Sequence, residues 1–210
     1  MKRDWNPEIR LGKDCLIDVG VVLGYRPARG KNIDIVVIGD NARIRSGTVI
    51  YGGVQIGDNL QTGHNVVIRE ENVIGNNFSI WNNSVIDYGC RIGNRVKIHC
   101  NCYVAQFTII EDEAFMAPGV TIANDIHPGC EFSSKCMRGP HIHKGVQLGV
   151  NVTVLPFVEI GEYSLIGGGS VVTKDIPPYS LAYGNPARVV GDVRDLKCET
   201  GLTDRPYKNL

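Results

Sequence analysis

Aliphatic side chains recur at every sixth position along most of this chain. From residue 38 to residue 122, each sixth position holds isoleucine, valine or methionine, and Thr62 is the single polar exception. An α-helix needs apolar residues at a period near 3.6, and an isolated strand needs a period of two. A period of six indicates short strands separated by turns, each directing one branched side chain into the core.

Turn-forming residues add a second period of eighteen. Glycine follows the aliphatic residue at positions 39, 57, 75 and 93, and Asp or Asn comes next at positions 40, 58, 76, 94 and 112. Both kinds of residue tolerate the backbone angles of tight turns. Because eighteen is three times six, three short strands make one coil, and the fourth strand lies above the first, about 4.8 Å away.

These periods predict an all-β fold, a three-sided parallel β-helix with an isoleucine-rich interior. One coil cannot bury its aliphatic face alone, so neighbouring coils must stack. Residues 35–122 supply about five coils, and the pattern resumes from 142 to 172 for two more. A shorter apolar run begins the stack at Leu11, Ile17 and Leu23.

Two segments interrupt the pattern and a third follows it. GYRPARGKN, residues 24–32, is predicted to be a polar excursion. Residues 123–141 are predicted to form a loop ejected from the coils, because an extra residue inside a strand would reverse the facing of all that follow. Long excursions of this kind are usually functional or disordered. We therefore divide the chain into a β-helix domain, residues 1–190, and a C-terminal tail without periodicity, residues 191–210.

Charge and cysteine content limit the partners. Lys plus Arg and Asp plus Glu each number 22, so no global field attracts nucleic acid or an anionic membrane. Any polyanionic ligand must therefore be held by local charges. The seven cysteines are scattered and include no CxxC pair. This usage predicts reduced thiols in a cytoplasmic protein and argues against a structural zinc site.

The repeat has an aliphatic residue first, Gly second, Asp or Asn third and Asn fourth. This repeat resembles that of the hexapeptide-repeat acyltransferases. The resemblance covers roughly residues 10–190 and implies a left-handed β-helix, whereas parallel crossovers are ordinarily right-handed. It also implies a coenzyme A-dependent acyltransferase that assembles as a homotrimer, with each active site between neighbouring subunits. Some relatives keep this fold without activity, so a non-catalytic β-helix scaffold is a competing prediction.

The segment IGGGSVVTKDIPPYSLAYGNPARVV, residues 166–190, looks like the coenzyme A-binding end of hexapeptide acetyltransferases. Glycines let a thin pantetheine arm lie against the backbone, and basic side chains suit the phosphates of the coenzyme. The alternative is an ordinary turn with solvated cations. On this resemblance the residues predicted to bind acetyl-CoA are Ala117, Gly149, Gly167, Gly168, Lys174 and Arg188.

The segment APGVTIANDIHP, residues 117–128, is similar to a stretch of galactoside and maltose O-acetyltransferases. Those enzymes carry a general-base histidine immediately before proline, and in ungapped register it falls on His127. Acetyl transfer needs a base to take a proton as a hydroxyl or ammonium group attacks the thioester, and the intrinsic pKa of histidine suits that role. The alternative is a loop side chain that faces solvent.

The eighteen-residue spacing supplies a second set of candidates. One column runs through His64, Asn82, Cys100 and Pro118. His99 lies beside that column, and Trp81 lies directly below His99. Such a convergent polar surface suits the hydroxyl groups and amine of a sugar. The predicted catalytic residues are His127, His99 and Asn82. The predicted substrate-binding residues are His64, Trp81, Asn83, Ser84 and Asp87.

Three short segments, GHNVVIRE, IHCNC and ANDI-P, resemble sugar-nucleotide N-acetyltransferases of the same family. This likeness implies that Asn82 holds the acceptor amine. The acidic and histidine residues usual in those enzymes are only partly kept, as Asp87-Tyr88-Gly89, and Gln106 stands where glutamate is common. A structural alternative also exists for His99, and for Asn83 as part of an amide ladder with its neighbours at 65 and 101.

Two other chemistries fit the residues less well. His64, His99 and His127 could meet at a subunit interface and bind zinc, as in the γ-class carbonic anhydrases. That class, however, has two histidines close together within one coil and lacks the IPP…GNPAR ending. Cys100 could act as a covalent nucleophile, but direct transfer needs no thiol. We therefore predict no metal site.

The sequence predicts an acetyl-CoA-dependent acetyltransferase acting on the amino group of a sugar, above all a nucleotide-linked amino sugar. The amine would attack the thioester directly, without an acyl-enzyme. The main alternative is O-acetylation of a sugar or of serine. The predicted partners are coenzyme A, a small-molecule acceptor and two further copies of the chain, with no nucleic acid and no membrane.

Overall fold

The computed structural model describes residues 5–29, 34–208 and 210. In these residues the chain winds through three sheets, and each full coil adds one strand to each sheet. Most strands contain only two residues, as a period of six requires. Neighbouring strands are parallel, except for the last pair of the second sheet. The prediction of an all-β, left-handed parallel β-helix is confirmed.

The first and third sheets contain eight strands each. In stacking order, the strands of the first sheet are Glu8–Leu11, Ile35–Ile38, Gln55–Ile56, Val73–Ile74, Arg91–Ile92, Ile109–Ile110, His141–Ile142 and Glu159–Ile160. Those of the third sheet are Val22–Tyr25, Val49–Tyr51, Val67–Ile68, Val85–Ile86, Tyr103–Val104, Thr121–Ile122, Thr153–Val154 and Val171–Val172. The predicted first coil is present, because its strands pair with those of residues 35–51.

The second sheet contains ten strands. In stacking order they are Leu16–Ile17, Arg43–Ile44, Gln61–Thr62, Ser79–Ile80, Lys97–Ile98, Phe115–Met116, Gln147–Leu148, Leu165–Ile166, Ser180–Gly184 and Ala187–Asp192. The last two form an antiparallel hairpin that stacks on the final coil. The hairpin thereby covers an edge that would otherwise expose unpaired backbone groups.

The side chains at the sixth positions fill the interior. Ile80 and Ile98, for example, are fully buried, as the period predicts. Thr62, the polar exception, is only 2% exposed. Its hydroxyl accepts a hydrogen bond from the backbone N–H of Arg45 at 2.9 Å and lies 3.2 Å from the hydroxyl of Thr48. A polar side chain is tolerated there because its hydrogen bonds are satisfied.

A second column of buried residues lies two positions before each sixth-position residue. Each short strand and the residue before it therefore contribute two inward side chains, separated by one that faces outward. In five successive turns this column consists of Phe78, Ser84, Cys90, Val96 and Cys102. Its mixture of polar and apolar residues hides the periodicity in the sequence.

The turns between sheets stack into the three edges of the prism, which we call corners. Corner A joins the first sheet to the second and includes residues 39–41 of one coil. Corner B joins the second to the third and includes residues 63–65. Corner C joins the third to the first and includes residues 69–71. Asn41 and Asn65 adopt left-handed backbone conformations at two of these corners, with φ of 60° and 57°.

The predicted amide ladder is present at corner B. The Nδ2 of Asn65 donates to Oδ1 of Asn83 at 3.3 Å, and the Nδ2 of Asn83 donates to Oδ1 of Asn101 at 3.4 Å. All three residues have φ between 57° and 60°. Asparagine suits this column because it adopts the left-handed conformation and links successive coils.

The ejected loop occupies residues 123–140, since the strand His141–Ile142 begins one residue earlier than predicted. It contains one short helix, α1, at Ser133–Cys136. The backbone N–H of Arg138 donates to the carbonyl of Asn124 at 2.9 Å, so the two ends of the loop lie side by side. The loop can therefore leave the stack and return without disturbing the coils.

The C-terminal boundary differs from the prediction. The last strand ends at Asp192 and leads into a 3₁₀-helix at Val193–Asp195, whose Val193 is fully buried. The hydroxyl of Tyr207 lies 3.3 Å from the side-chain oxygen of Gln147, so the tail returns to the second sheet. In the predicted excursion 24–32, the strand Val22–Tyr25 continues to its second residue, and residues 30–32 lie outside the described part. Among described residues, no helix has the length and apolarity to cross a membrane.

Candidate functional site

Corner B brings together most residues that the sequence singled out. The backbone N–H of Asn83 donates to the carbonyl of His64, and that of Asn101 to the carbonyl of Asn82, each at 3.0 Å. The N–H of Trp81 donates to the carbonyl of Ile98 at 2.9 Å, which places Trp81 one coil below His99. The predicted adjacency of residues eighteen apart is confirmed, because each coil adds eighteen residues in register.

His99 and Trp81 line one groove on the second sheet. The remaining residues of the groove are polar, and they are Asn59, Gln61, Asn77, Ser79 and Lys97. Its volume of about 560 Å³ lies within the range of small-molecule sites. The imidazole of His99 is half-buried and its centroid lies 5.1 Å from the ring of Phe115, so the ring is supported on one side. The polar members of this groove other than His99 and Trp81 were missed by the sequence reasoning.

Asn82 and His64 lie at the solvent side of the same corner. Oδ1 of Asn82 accepts a hydrogen bond from the backbone N–H of His64 at 2.9 Å. Nδ1 of His64 lies 2.8 Å from the hydroxyl of Ser46. Both side chains are exposed, so they are accessible to a ligand, but each also has a role in joining coils.

Two of the predicted substrate-binding residues are structural. Asn83 is part of the amide ladder described above. Ser84 is fully buried, where its hydroxyl donates to the carbonyl of His99 at 2.7 Å and accepts from the N–H of Cys102 at 3.1 Å. We therefore exclude Ser84 from the acceptor site. Its inward facing follows from the second buried column, which has the same period of six.

The small residues predicted to bind the coenzyme continue the column of corner B. Ala117, Gly149 and Gly167 follow successive strands of the second sheet, and backbone hydrogen bonds join their coils. A Cβ atom on Gly149 would lie 2.6 Å from the backbone nitrogen of Gly168. Coil stacking alone therefore requires glycine at position 149. The absence of a side chain there also leaves the surface of corner B smooth.

Of the two predicted phosphate-binding cations, Lys174 lies at another corner and Arg188 lies beyond the end of that column. Lys174 follows the last strand of the third sheet, at corner C, and is exposed. Arg188 lies on the C-terminal hairpin, where its Nη1 donates to the carbonyl of Ala187 at 2.9 Å. The structure therefore places one of the two beside the end of corner B, through the pairing of the hairpin with the second sheet.

His127 lies in the ejected loop, which leaves the stack at corner C. Its side chain is exposed, and its backbone N–H donates to Oδ1 of Asp125 at 3.0 Å. The other oxygen of Asp125 accepts from the hydroxyl of Ser133 at 2.5 Å, which ties the loop to its short helix. His127 and His99 thus belong to different corners of the chain.

A buried charged cluster occupies corner C. Asp87 is 5% exposed, and Oδ1 lies 2.8 Å from Nη1 of Arg69. Its Oδ2 accepts from the hydroxyl of Tyr103 at 2.8 Å and from the amide of Gln106 at 2.6 Å. Arg69 also pairs with the fully buried Glu70 at 3.0 Å. Asp87 was predicted to bind substrate, but both of its carboxylate oxygens are engaged by this network.

The network changes the acidity of one phenol. Burial, followed by the hydrogen bond to the Asp87 carboxylate, raises the pKa of Tyr103 to about 12. The phenol stays protonated because, as the phenolate, it would lose this hydrogen bond and face the Asp87 carboxylate. The sequence reasoning missed Arg69, Glu70 and Tyr103. Arg69 and Glu70 could have been identified from the sequence, because Arg69 in the motif IREE lies eighteen residues before Asp87 and therefore one coil below it.

Arginine and tyrosine side chains form a layer over this cluster. The guanidinium of Arg29 lies 3.3 Å from the ring centroid of Tyr88, and that of Arg69 lies 5.1 Å from the same centroid. The rings of Tyr25 and Tyr51 lie 4.9 Å apart. Guanidinium groups and aromatic rings of this kind can stack on a planar base and pair with phosphate oxygens.

Comparison with known proteins begins with a family model. The model described as bacterial transferase hexapeptide (six repeats) matches residues 35–70, 89–124 and 139–174, together just over half of the chain. The matched segments leave out most of the ejected loop, residues 125–138, and include His64, His99, Ala117, Gly149 and Gly167 of corner B.

Individual relatives match over shorter stretches. A Staphylococcus aureus (strain COL) protein named as a putative acetyltransferase is 57% identical over 72 residues, which are 33% of this chain and 36% of that protein. The dTDP-3-amino-3,6-dideoxy-alpha-D-galactopyranose 3-N-acetyltransferase of Aneurinibacillus thermoaerophilus is 54% identical over 52 residues, 25% of this chain and 27% of the enzyme. The matches span about a third of the length of such curated relatives.

Two solved structures align with most of the β-helix. LpxA, a UDP-N-acetylglucosamine acyltransferase from Bacteroides fragilis 9343, aligns with a TM-score of 0.68 and 22% identity, covering 91% of this chain and 74% of that one. A putative acetyltransferase from Bacillus cereus aligns with a TM-score of 0.52 and 27% identity, covering 69% and 77%. At 22% identity, the similarity to LpxA shows a shared fold and nothing more.

Proposed function

Because the chain belongs to the bacterial hexapeptide transferase family, we propose that it is an acetyl-CoA-dependent acetyltransferase that acetylates the amino group of a nucleotide-linked sugar. One observation carries the proposal. The groove containing His99 and Trp81 and the column of small residues at positions 117, 149 and 167 lie along the same edge, corner B. An acceptor in the groove and a thioester along the column would meet there.

The column suits the pantetheine arm of coenzyme A. Ala117, Gly149 and Gly167 leave the corner without long side chains, so a thin chain could lie along several coils. Arg188 at the end of this edge, and Lys174 on the last full coil, would pair with the phosphates of the coenzyme. Both side chains are exposed and would gain charged partners on binding.

Two observations favour a nucleotide-linked amino sugar as acceptor. The relative from Aneurinibacillus thermoaerophilus is named for N-acetylation of a dTDP-linked amino sugar, and it shares 54% identity over 52 residues. The layer of Arg29, Arg69 and Tyr88 offers cationic and aromatic surfaces suited to a nucleoside diphosphate.

The reaction needs no covalent enzyme intermediate. The acceptor ammonium first loses a proton to an imidazole, and its nitrogen then attacks the thioester carbonyl carbon. Backbone N–H groups along the corner would stabilise the oxyanion of the tetrahedral intermediate. Collapse of that intermediate breaks the carbon–sulfur bond, the nitrogen loses its second proton, and the coenzyme A thiolate takes up that proton. The second lone pair of Asn82 Oδ1 would hold the amine during attack.

The proton acceptor is His99 or His127, which belong to different corners of one chain. We propose that the chain forms a homotrimer in which the ejected loop of one copy brings His127 to corner B of its neighbour. The exposed apolar side chains Ile126 and Phe132 on either side of His127 would pack on that neighbour.

O-acetylation is the second candidate. A Schizosaccharomyces pombe protein named as a putative serine acetyltransferase is 40% identical over 85 residues, 40% of this chain and 32% of that protein. Transfer to a hydroxyl depends more strongly on a general base than transfer to an amine does. Retention of a histidine in the loop is the feature that favours it.

A steady-state assay separates these candidates. The protein is incubated with acetyl-CoA and one of four acceptors, a nucleotide-linked amino sugar, the free amino sugar, the matching nucleotide sugar without an amine, and serine. Release of coenzyme A is followed with a thiol reagent. We expect release to be fastest with the first acceptor. Faster release with the amine-free sugar or serine would establish O-acetylation, and no release with any acceptor would support a scaffold.

A further inference from the structure

Corner A contains an interruption that neither the fold nor the proposed reaction explains. The residues at the first position of this corner form one vertical column, with one residue from each of eight stacked coils. Glycine occupies six of its eight positions, 12, 39, 57, 75, 93 and 161. The two exceptions are Glu111 and His143, which lie in adjacent coils because Ile110 pairs with Ile142.

Glycine is required in this column by the side chain that lies above it. In successive coils, the Oδ1 atom of an Asp or Asn accepts from a backbone N–H one coil below, as Asn94 does from Asn76 at 2.9 Å. That side chain covers the glycine of the lower coil, and a Cβ on Gly75 would lie 2.7 Å from Oδ1 of Asn94. Side chains other than glycine are therefore excluded wherever the ladder of Asp and Asn continues.

The ladder ends where the exceptions begin. Above Asp112 the corresponding residues are Lys144 and Glu162, which carry no short carbonyl side chain. The glycines are replaced in two of the three coils above which the ladder is absent. In the third, Pro178 lies above Gly161 and leaves no space for a Cβ atom. Space for Glu111 and His143 exists for this reason, and the space is filled by groups that bind metals.

The side chains of Glu111, His141 and His143 converge at this place. Oε1 of Glu111 lies 2.8 Å from Nε2 of His141 and 3.2 Å from Nδ1 of His143. The two imidazoles are stacked, with centroids 3.9 Å apart. The three side chains are 26% to 40% exposed, so an ion can reach them from solvent. Among the residues that the structure describes, no other group of this kind was found, and His64, His99 and His127 form none.

We propose that Glu111, His141 and His143 bind a divalent transition-metal ion such as Zn²⁺. Two imidazoles and one carboxylate are donors that this ion prefers. With metal–ligand bonds of about 2.0–2.2 Å, adjacent ligand atoms of a tetrahedral site lie roughly 3.3–3.5 Å apart. The separations of 2.8 and 3.2 Å from Oε1 are shorter than that value, and the ligand atoms must move apart by up to about 0.7 Å to admit the ion, which side-chain rotations allow. Water would complete the coordination.

The surrounding groups hold the ligands in place. Oε2 of Glu111 accepts from the backbone N–H of Lys144 at 3.1 Å, which leaves Oε1 for the ion. Nε2 of His143 faces Oε2 of Glu159 at 3.8 Å, on the ring side opposite Glu111. At 3.8 Å this is a charge contact, and a slight approach of Glu159 would give the hydrogen bond that orients a ligating imidazole. The ammonium group of Lys144 turns away, 4.0 Å from Glu113, and does not occupy the site.

The position of the site indicates what the ion would do. Glu111 belongs to the coil before the ejected loop, whereas His141 and His143 belong to the coil after it. A bound ion would join the two coils on either side of the loop. It would lie at corner A, separate from the proposed reaction at corner B, and would stabilise the folded chain without taking part in acetyl transfer.

Metal titration tests this inference. Untagged protein is treated with a chelator, dialysed and titrated with Zn²⁺ in a calorimeter. We expect one ion per chain and a rise of the melting temperature when Zn²⁺ is present. Replacement of the two exceptional residues by the glycine found elsewhere in the column, Glu111→Gly and His143→Gly, should weaken binding by about 100-fold. His64→Asn, which removes a histidine at another corner, should bind Zn²⁺ as the wild type does.

A spectroscopic measurement decides the question without variants. Co²⁺ bound by two imidazoles and a carboxylate in a four-coordinate site gives strong visible absorption, which hydrated Co²⁺ lacks. We expect that absorption to appear with one equivalent of Co²⁺ and to disappear on addition of Zn²⁺. The proposal is overturned by a spectrum like that of hydrated Co²⁺, by unchanged Zn²⁺ affinity in the glycine variants, or by an equal loss in His64→Asn.

Discussion

The surroundings of three imidazoles determine which of them can move a proton. His64 is engaged by the hydroxyl of Ser46, and His99 rests against Phe115 at the mouth of a polar groove. His127 is exposed and has no side-chain partner among the described residues. A base that must contact a substrate needs a free ring nitrogen and access to solvent. His99 and His127 each have both.

Replacement of His127 tests its role directly. If it is the general base, kcat for His127→Ala should fall roughly 100-fold or more, because positioned proton transfer contributes that much. Pro128→Ala, which alters the same loop but keeps the imidazole, should retain most of the rate. An unchanged kcat in His127→Ala would assign the proton transfer to His99.

Tyr103 gives the protein a stability that depends on alkaline pH. Its pKa is raised to about 12 in the folded chain, against about 10 in the unfolded chain. The folded state therefore holds the phenolic proton more tightly. The resulting stabilisation is fully present below pH 10 and is lost as the pH rises through 12.

The free energy of unfolding, measured by urea denaturation across this pH range, should therefore fall more steeply for the wild type than for Tyr103→Phe. The phenylalanine variant keeps the ring but has no proton to lose. Equal slopes for the two proteins would show that the hydrogen bond to Asp87 does not perturb the phenol.

Sequence spacing could predict which residues are neighbours, but only partly which way they face. The column through His64, Asn82 and Cys100 follows from the eighteen-residue period alone. Ser84 was placed in the acceptor site because it lies near these residues in sequence, whereas its hydroxyl faces the core. Contacts across corners, such as Asp87 with Tyr103, depend on rotamers that no period encodes.

At the scale of the short strand, neighbouring residues have opposite energetic roles. Ile110 is 1% exposed and Ile109 is 42% exposed, although both are isoleucines of the same strand. Deleting buried methyl and methylene groups leaves a cavity as well as losing transfer free energy. Ile110→Ala should therefore destabilise the fold by about 3 kcal/mol. Ile109→Ala is the matched control and should cost well under half of that in denaturant titrations. Equal losses would contradict the assigned facing of this strand.

The ejected loop should be separable from the coils. Its ends meet through the hydrogen bond from Arg138 to Asn124, and the flanking strands pair with coils on both sides. Replacing residues 125–137 by a single glycine should leave the far-ultraviolet circular dichroism spectrum unchanged. The same variant should lose acetyl transfer if His127 is the general base, whereas full activity would assign the proton transfer to His99. Loss of the β-helix spectrum would contradict the independence of the coils from the loop.

Most strands were predictable because each obeys one repeated rule, an inward aliphatic residue followed by a turn. The loop was also predictable, since the rule fails between Ile122 and Ile142. The C-terminal hairpin was not, because its antiparallel strands at 180–192 have no six-residue period to reveal them. Handedness required the resemblance to known proteins, since the period is the same for either hand.

For the whole molecule, function depends on how columns of residues combine along the three edges. Corner B carries the groove and the small residues, corner C carries the ejected loop and the charged cluster, and corner A carries the proposed metal site. Net charge is zero, so the coenzyme and a nucleotide must be attracted by local cations rather than by a general field. The metal site escaped sequence reasoning because Glu111 and His141 are separated by the loop.

The most direct test of this account is a crystal structure of the protein with coenzyme A and a nucleotide-linked amino sugar. We predict that the pantetheine arm lies along corner B, beside Ala117, Gly149 and Gly167. The coenzyme sulfur and the acceptor amine should meet within reach of His99 or of His127 from a neighbouring copy. Coenzyme bound at another edge, or an amine remote from both imidazoles, would contradict the proposed active site.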